Sequence, residues 1–380
     1  MVPPVSLVEV GGWHPLLPAA EVAAVAGQPL QQLAPRLFQC RSEVDWSRLA
    51  YARRGLRLLG SSLQLDVPFD PASVVAGSYA VRLHDPDHLL PALARQRLIG
   101  HVWRALPSPQ VRLVNPDHEL HVYVTPAGLW WAEMHGRLGA DALRSHDPMA
   151  RPFFRSVLVP RRRARCLVNL TGVRPGQRLL DPFCGTGALL VEAGLLGAAA
   201  FGSDVDRAMV AGCQANLAFE NLAAEVRRID ARALGDWGLV FDAVVTDLPY
   251  GRSASAHGVH LPDLFRAFLA AAADVVREGA RVIVMAPAGL PEPSNTPFDV
   301  ITVLRERVSR SLMREIWYCT GGRAAARRPP QHHSNRSPHR EHRCVIAGAH
   351  TTERRTYVRQ PPREPGRSGP AWMALRMRRA

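Results

Sequence analysis

One segment constrains the fold of this chain more than any other: residues 179–192 read Leu-Leu-Asp-Pro-Phe-Cys-Gly-Thr-Gly-Ala-Leu-Leu-Val-Glu. Asp181 ends an apolar strand, a short glycine turn follows, and an apolar helix begins. Gly185 and Gly187 allow the backbone to approach a ligand closely, as in other nucleotide-binding strand-to-helix turns. The glycine patterns that hold a pyrophosphate or a dinucleotide are absent, which excludes a dinucleotide-dependent dehydrogenase. A carboxylate facing this turn suits a cationic methionine group better.

The region around this segment alternates between apolar strands and helices, which is typical of a parallel sheet covered by helices. The predicted strands are residues 178–181, 199–204, 226–230, 241–246 and 280–285, and the predicted helices are residues 187–196, 207–219 and 261–276. Residues 300–305 and 313–319 are predicted to pair as a closing hairpin. The pattern predicts an α/β, doubly wound, Rossmann-like domain over residues 166–320.

Two more predicted strands end in carboxylates that can contact a nucleoside. Asp204 lies 23 residues after Asp181, a spacing at which an acidic side chain accepts hydrogen bonds from ribose hydroxyls. Asp206 is interpreted as the N-cap of the next helix. Asp230 alone would be a turn residue, but in series with the other strand ends it is a candidate acceptor for an adenine amino group.

The fourth strand ends in Asp247-Leu248-Pro249-Tyr250, an arrangement suited to methylating an exocyclic amine. Such a nitrogen is a poor nucleophile because its lone pair is delocalised into the ring. The Asp247 carboxylate and the Leu248 carbonyl can accept hydrogen bonds from the amine and turn the lone pair towards an electrophilic methyl group. Pro249 fixes the backbone, and Tyr250 can stack on the base. Alone the tetrapeptide would be a turn ending a buried strand; the three preceding strand ends favour catalysis.

The regions on either side of the central domain have different patterns. Residues 1–145 predict a smaller α+β region, with helices at residues 15–25 and 86–99 and strands at residues 78–83 and 120–124. Residues 146–165 form a basic linker that carries two phenylalanines and no acid between residues 151 and 165. Its candidate RNA-binding residues are Arg151, Phe153, Phe154, Arg161, Arg162, Arg163 and Arg165. Arginine holds phosphates and aromatic rings stack on bases; a solvated linker packed on the next domain is an equally good interpretation.

The charge of the chain points first to nucleic acid as a partner. The formal net charge is +14, and all 47 cationic residues are arginine, a bias that codon usage explains more simply than design. Residues 321–380 are rich in arginine and proline, carry a net charge of +11, and are predicted to be a disordered tail, functional or a frameshifted extension. The remaining 320 residues carry +3. We find no transmembrane helix or secretory signal, and six dispersed cysteines fit a cytoplasmic protein without a metal site.

With these motifs, the sequence resembles the THUMP-domain S-adenosylmethionine-dependent RNA methyltransferases, and most of all the archaeal-type tRNA (guanine-10-N2)-methyltransferases. The family pattern Asp-Pro-Phe-Cys-Gly-Thr-Gly is matched at residues 181–187, Arg-Pro-Phe-Phe at residues 151–154, and Asp-Pro-Pro-Tyr-Gly-Arg-Ser at residues 247–253, where Leu248 replaces the first proline. A closing strand similar to the family's Arg-Ser-Leu-x-Arg-x-Ile-Tyr lies at residues 310–318. The opening segment at residues 9–21 and the segments at residues 78–83 and 111–117 are similar to the family's N-terminal half. The resemblance covers residues 5–320.

The resemblance implies a class I methyltransferase domain preceded by a THUMP-like domain that grips the tRNA 3′ end. It implies S-adenosyl-L-methionine as cofactor, with binding residues Asp181, Phe183, Gly185, Gly187, Asp204 and Asp230 and catalytic residues Asp247, Leu248, Pro249 and Tyr250. We expect a monomer that forms N2-methylguanosine or N2,N2-dimethylguanosine at position 10 of tRNA. Methylation of another tRNA guanosine (position 6), of rRNA guanine or of adenine N6, and a non-catalytic RNA-binding role, remain alternatives.

Overall fold

The structure of this chain is a computed structural model. It describes residues 6–12, 14–42, 44–63, 76–106, 109–137, 148–155, 159–249, 260–291, 296–307 and 313–321. The predicted disordered tail therefore lies outside the described residues, apart from Gly321, which ends a strand.

In the residues that the structure describes, the N-terminal part forms one eight-stranded sheet with two α-helices. Its elements are β1 (Ser6–Val10), α1 (Leu17–Ala26), β2 (Gln31–Ala34), β3 (Leu37–Cys40), β4 (Ala52–Ser62), β5 (Ser78–His84), α2 (Ala92–Ala105), β6 (Gln110–Val111), β7 (His118–Thr125) and β8 (Gly128–Arg137). The strand order is β2-β3-β1-β4-β8-β7-β5-β6. The long strand β4 pairs antiparallel with β1 on one side and with β8 on the other, so it joins the two halves of the sheet.

The predicted helix at residues 86–99 starts too early. The Asp85 carboxylate accepts hydrogen bonds from the backbone N–H groups of Leu89 and Leu90, which closes a turn instead. Pro91 stands at the N-cap of α2, and the helix continues to Ala105. A proline fits a helix start well because its missing N–H has no partner there.

The C-terminal part is a seven-stranded mixed sheet. Its elements are α3 (Arg161–Leu170), β9 (Arg178–Asp181), α4 (Ala188–Leu195), β10 (Ala199–Ser203), α5 (Arg207–Phe219), β11 (Ala224–Arg227), β12 (Phe241–Asp247), α6 (Leu261–Val275), β13 (Val276–Pro287), β14 (Phe298–Arg307) and β15 (Met313–Gly321). The strand order is β11-β10-β9-β12-β13-β15-β14. Strands β9 to β13 pair in parallel, and β14 and β15 add an antiparallel hairpin.

The predicted doubly wound, Rossmann-like fold and the closing hairpin are confirmed. One strand was placed wrongly: β11 spans Ala224–Arg227 rather than residues 226–230, because Ala224 pairs with Ala200 and Arg227 with Ser203 in the parallel ladder with β10. The interpretation of Asp206 as an N-cap is confirmed, since its carboxylate accepts the N–H of Ala208 at 2.8 Å.

Both faces of the seven-stranded sheet are covered by apolar side chains. The side chains of α3 and α4 fill one face, and those of α6 fill the other. Leu17 of α1 and Tyr51, beside β4, belong to the same buried cluster as α3, so the N-terminal part packs directly on the C-terminal part. Helix α3 crosses the predicted domain boundary at residue 166.

Glu21 fixes this junction with three hydrogen bonds. Its fully buried carboxylate accepts the N–H groups of Ala50 (2.7 Å) and Tyr51 (3.0 Å) and the side-chain amide of Asn169 on α3 (2.7 Å). Burial raises the pKa of Glu21 to about 7. Among the described residues, no helix is both long enough and apolar enough to cross a membrane.

Candidate active site

The carboxyl ends of β9, β10 and β12 meet at one edge of the sheet and bring three predicted site carboxylates together. Asp181 ends β9, Asp204 follows β10, and Asp247 ends β12. In the parallel register Asp181 lies beside Gly202 of β10, and Asp247 lies beside Met285 of β13. Ligands of open α/β sheets bind at this carboxyl edge.

Asp181 is 1% exposed and is held from two sides. Its Oδ1 accepts the hydroxyl of Thr246 at 2.7 Å and the N–H of Phe183 at 3.3 Å. Burial raises the pKa of Asp181 to about 7, and the negative charges of Asp204 and Asp247 add to that rise. A site that gathers buried carboxylates in this way favours a positively charged ligand, because a cation relieves their mutual repulsion.

The glycine turn adopts the predicted close geometry. Gly185 and Gly187 have φ angles of +50° and +86°, which favour glycine. A Cβ on Gly187 would lie 2.7 Å from Cys213 Sγ, so the backbone itself packs against α5. The N–H of Gly185 donates to Asp204 at 3.1 Å, and the turn therefore lies directly beside that carboxylate.

Asp204 and Asp230 each have a partner within the chain. Asp204 also accepts the N–H of Asp206 at 2.9 Å. A carboxylate accepts about four hydrogen bonds, so contact with ribose hydroxyls stays compatible and stays a prediction. The Asp230 carboxylate pairs with Arg232 at 2.5 Å, and this hydrogen bond lowers the pKa of Asp230. Its predicted adenine contact has to share the carboxylate with Arg232.

Asp247 differs from Asp181, Asp204 and Asp230 in its hydrogen bonding. Its Oδ1 is buried and has no hydrogen-bond partner among the described residues. A buried carboxylate oxygen in this condition is costly to the fold, which is typical of a functional position. Burial raises the pKa of Asp247 to about 7, the cations Arg314 and Arg163 oppose that rise, and Glu306 adds to it.

The residues after Asp247 are anchored to the neighbouring strand. The N–H of Leu248 donates to the carbonyl of Met285 at 2.8 Å, and the Leu248 side chain is fully buried beneath α6. Pro249 is half-buried. Leucine thus replaces the family's proline by filling the core, while its carbonyl group is retained. Tyr250 lies outside the described residues.

The structure places most of the predicted RNA-binding arginines in an environment that the sequence did not suggest. Four of them form ion pairs with glutamates: Arg151 with Glu220, Arg161 and Arg165 with Glu192, and Arg163 with Glu306. The glutamate side chains are almost fully buried. Three of these arginines lie in the first turns of α3, where positive charge opposes the helix dipole, so the glutamates are needed to stabilise this helix. These guanidinium groups hold the fold and do not face a solvent-exposed RNA site.

Of the other predicted RNA-binding residues in the basic linker, one packs into the core and two lie at the surface. Phe153 packs against Gly212 of α5, where a Cβ would lie 2.1 Å from the ring, and its backbone is clamped by two hydrogen bonds with Asn216. Phe154 is 40% exposed and Arg162 is exposed. Of the predicted RNA-binding set, only Phe154 and Arg162 are available to a partner at the surface.

Sequence reasoning missed Thr246 and Arg314. Thr246 directly precedes the predicted catalytic tetrapeptide, but its partner Asp181 lies 65 residues away. Arg314 lies in the closing strand that resembles the family's last motif, which was the only signal available for it.

Comparison with known proteins identifies the family. A family model described as "RMKL-like, methyltransferase domain" matches residues 148–291. The tRNA (guanine(10)-N2)-dimethyltransferase of Methanothermobacter thermautotrophicus is 32% identical over 324 residues, covering 80% of this chain and 95% of that protein. The protein of the same name from Pyrococcus abyssi is 30% identical over 269 residues, covering 65% and 79%. Since the match to the first relative runs through nearly its whole length, the chain belongs to the tRNA (guanine(10)-N2)-dimethyltransferase family.

Proposed function

We propose that this chain is an S-adenosyl-L-methionine-dependent tRNA (guanine-N2)-methyltransferase that forms N2-methylguanosine or N2,N2-dimethylguanosine at position 10. The observation that carries the proposal is the buried, unpartnered Oδ1 of Asp247 at the carboxyl edge of the sheet, beside Asp181. The names and activities of the relatives support the choice of tRNA guanosine as substrate.

The cofactor end of the site fits a methionine-type sulfonium. When bound, S-adenosyl-L-methionine supplies an electrophilic methyl group and a positive charge. The carboxylates of Asp181 and Asp204 give that charge a favourable environment, and the turn at Gly185 and Gly187 lets backbone atoms approach the cofactor without a Cβ in the way. Phe183, half-buried with its ring edge-on to Phe268, borders the same turn.

The catalytic end of the site is proposed to act on the exocyclic amine of guanine. The Asp247 carboxylate and the Leu248 carbonyl accept the two N–H groups of the amine, which aligns the nitrogen lone pair with the methyl group. Methylation would leave the amine nitrogen positively charged, and the ionised Asp247 carboxylate would take its proton. A base inside a stem must be flipped out to reach this edge.

The tRNA is proposed to contact the N-terminal sheet and the exposed residues of the basic linker. Residues 1–145 are proposed as the THUMP-like module, and Phe154 and Arg162 as nearby contacts. Since Glu21 and Asn169 bind the N-terminal part to α3, the distance from this module to Asp247 is set by the fold. A fixed distance of this kind would select which guanosine enters the site.

The experiment is methyl transfer from labelled cofactor to an unmodified tRNA transcript, followed by mapping of the modified nucleoside. We expect label on guanine N2 at position 10. Label at position 6 or on an rRNA fragment would redirect the substrate, and label on adenine N6 would contradict the proposed base. Cofactor binding without transfer to any RNA would favour a non-catalytic role.

A further inference from the structure

Four charged side chains of alternating sign lie side by side at the catalytic edge: Asp247, Arg314, Glu306 and Arg163. They come from β12, from the β14–β15 hairpin and from α3, which are three separate regions of the chain. Glu306 and Arg314 are directly opposite each other in the β14–β15 ladder. Arg163 forms an ion pair with Glu306. Arg314 is 6% exposed and Glu306 is 2% exposed, so the two central members of the row are buried, while Asp247 and Arg163 are partly buried.

The register places Arg314 on the same face of the sheet as Asp247. Met285 of β13 lies between Asp247 of β12 and Ile316 of β15. Laterally paired residues share a face, and so do residues two apart on one strand. Arg314, two residues from Ile316, therefore projects from the face of Asp247 and at the same end of the sheet. Its Nη1 lies 3.7 Å from the Sδ of Met285, which places the guanidinium next to the residue that flanks Asp247.

We infer that Arg314 is a positioning residue that keeps the Asp247 carboxylate ionised and turned towards the substrate amine, and that Glu306 and Arg163 hold Arg314 in place. This inference rests on the proposed role of Asp247. The inference also gives Arg163 of the basic linker a function that the sequence did not suggest. Arg163 acts through Glu306 on the catalytic edge rather than on RNA.

The charges that face Asp247 support this assignment. Burial raises the pKa of Asp247 to about 7; the positive charges of Arg314 and Arg163 oppose that rise, and the negative charge of Glu306 adds to it. Asp181 on β9 is a further carboxylate within electrostatic range. A buried carboxylate whose charged neighbours are all acidic would stay protonated at neutral pH, so a nearby cation is needed to keep it ionised. Burial lowers the pKa of Arg314, and the negative charge of Asp247 opposes that fall.

The alternative is that the row only ties β14, β15 and α3 together. Both interpretations predict that loss of Arg314 destabilises the fold, so stability does not separate them. The pH dependence of the chemical step does, because only a charge acting on Asp247 changes the pH at which that group ionises.

The test is the pH profile of single-turnover methyl transfer by the full chain, at saturating cofactor and tRNA, for R314M, R314K and E306Q. The acid limb of this profile is the low-pH range in which the rate rises as Asp247 ionises. We expect R314M to move this limb to higher pH by about one pH unit or more, and we expect its rate to recover at high pH. R314K should stay close to wild type in limb position. E306Q keeps a hydrogen-bonding side chain but removes the negative charge, so its limb should move to lower pH.

The matched control is R305M. Arg305 pairs with Glu315 between the same two strands, at 2.8 Å, and is half-exposed. Its loss should leave the acid limb unchanged. Cofactor Kd, measured by calorimetry, should stay within about twofold for all four variants if they are folded.

Opposite shifts in R314M and E306Q support the inference, since a purely structural row would not move the limb in two directions. Unshifted limbs in both variants would overturn it. If R314M does not fold, E306Q and R314K decide alone: no downward shift in E306Q overturns the inference. The D247N variant distinguishes failure of this inference from failure of the proposed function. Wild-type transfer by D247N would contradict the catalytic role of Asp247. An inactive D247N together with unshifted acid limbs in R314M and E306Q would contradict only the role of Arg314.

Discussion

The hydroxyl of Thr246 donates a 2.7 Å hydrogen bond to Oδ1 of Asp181 and thereby ties β12 to β9 at the carboxyl edge of the sheet. Thr246 directly precedes Asp247 on β12, and Asp181 is the last residue of β9. The two carboxylates proposed for cofactor binding and for catalysis are thus one hydrogen bond and one peptide unit apart. Any shift of one is transmitted to the other.

Thr246→Val is expected to weaken cofactor binding. Valine keeps the volume and removes the donor, which leaves the Asp181 carboxylate buried with one hydrogen bond fewer and raises its pKa further. A further tenfold bias towards the protonated form would cut the ionised fraction of Asp181 at pH 7 from about one half to about one tenth, so cofactor Kd should rise about fivefold. Calorimetric titration with S-adenosyl-L-methionine measures this. Thr320→Val, whose hydroxyl contacts the Gly279 carbonyl at 3.4 Å, is the control and should bind as wild type.

The rate of methyl transfer is expected to rise with pH through about 7. The pKa of Asp247 is raised to about 7, and only the ionised form can accept the amine hydrogens and the proton. The ionised fraction is near one above pH 8 and falls about tenfold per pH unit below pH 6. Single-turnover rates at saturating cofactor between pH 5.5 and 9 test this. A flat profile down to pH 5 would show that Asp247 ionises at its ordinary pKa.

Arg151 and Arg162 are expected to behave in opposite ways. Arg151→Ala leaves Glu220 buried without its cation, and breaking a buried pair costs about 3–5 kcal/mol of unfolding free energy. Arg162→Ala removes an exposed cation and should change stability by less than about 0.5 kcal/mol while weakening tRNA binding. Urea denaturation and filter binding measure the two effects. Equal loss of tRNA affinity in two equally stable variants would restore the RNA-binding interpretation of Arg151.

Glu21→Ala is expected to loosen the junction between the two parts of the molecule. The substitution leaves the N–H groups of Ala50 and Tyr51 and the amide of Asn169 without their acceptor, a cost of about 1–3 kcal/mol for each buried donor that water does not reach. Unfolding free energy should fall by at least about 2 kcal/mol, and KM for tRNA should rise more than the cofactor Kd. The exposed Glu278→Ala variant serves as control. An unchanged KM in a folded Glu21→Ala protein would show that the junction does not position tRNA.

The positions of the candidate site residues at strand ends could be predicted from the sequence because each lies in one local segment; their roles stay predictions. Asp181 with its glycine turn, Asp204 and Asp247 each sit in a short segment whose pattern states the strand, the turn and the charge together. Sequence reasoning failed where partners are distant in the chain. The arginines of α3 look like a basic patch because Glu192 and Glu306 lie 27 to 143 residues away. No periodicity in a single sequence reports such pairings, and the Thr246–Asp181 bond was missed for the same reason.

The most direct test of this account is single-turnover methylation of two tRNA transcripts that differ only at position 10, one with guanosine and one with inosine. Inosine lacks the exocyclic N2 amine and keeps the rest of the base edge. We predict rapid transfer to guanosine with wild-type protein, transfer at least about a hundredfold slower with D247N, and no transfer to the inosine transcript. Equal methylation of the two transcripts, or an unimpaired D247N, would contradict the claim that Asp247 presents a guanine N2 amine for methylation.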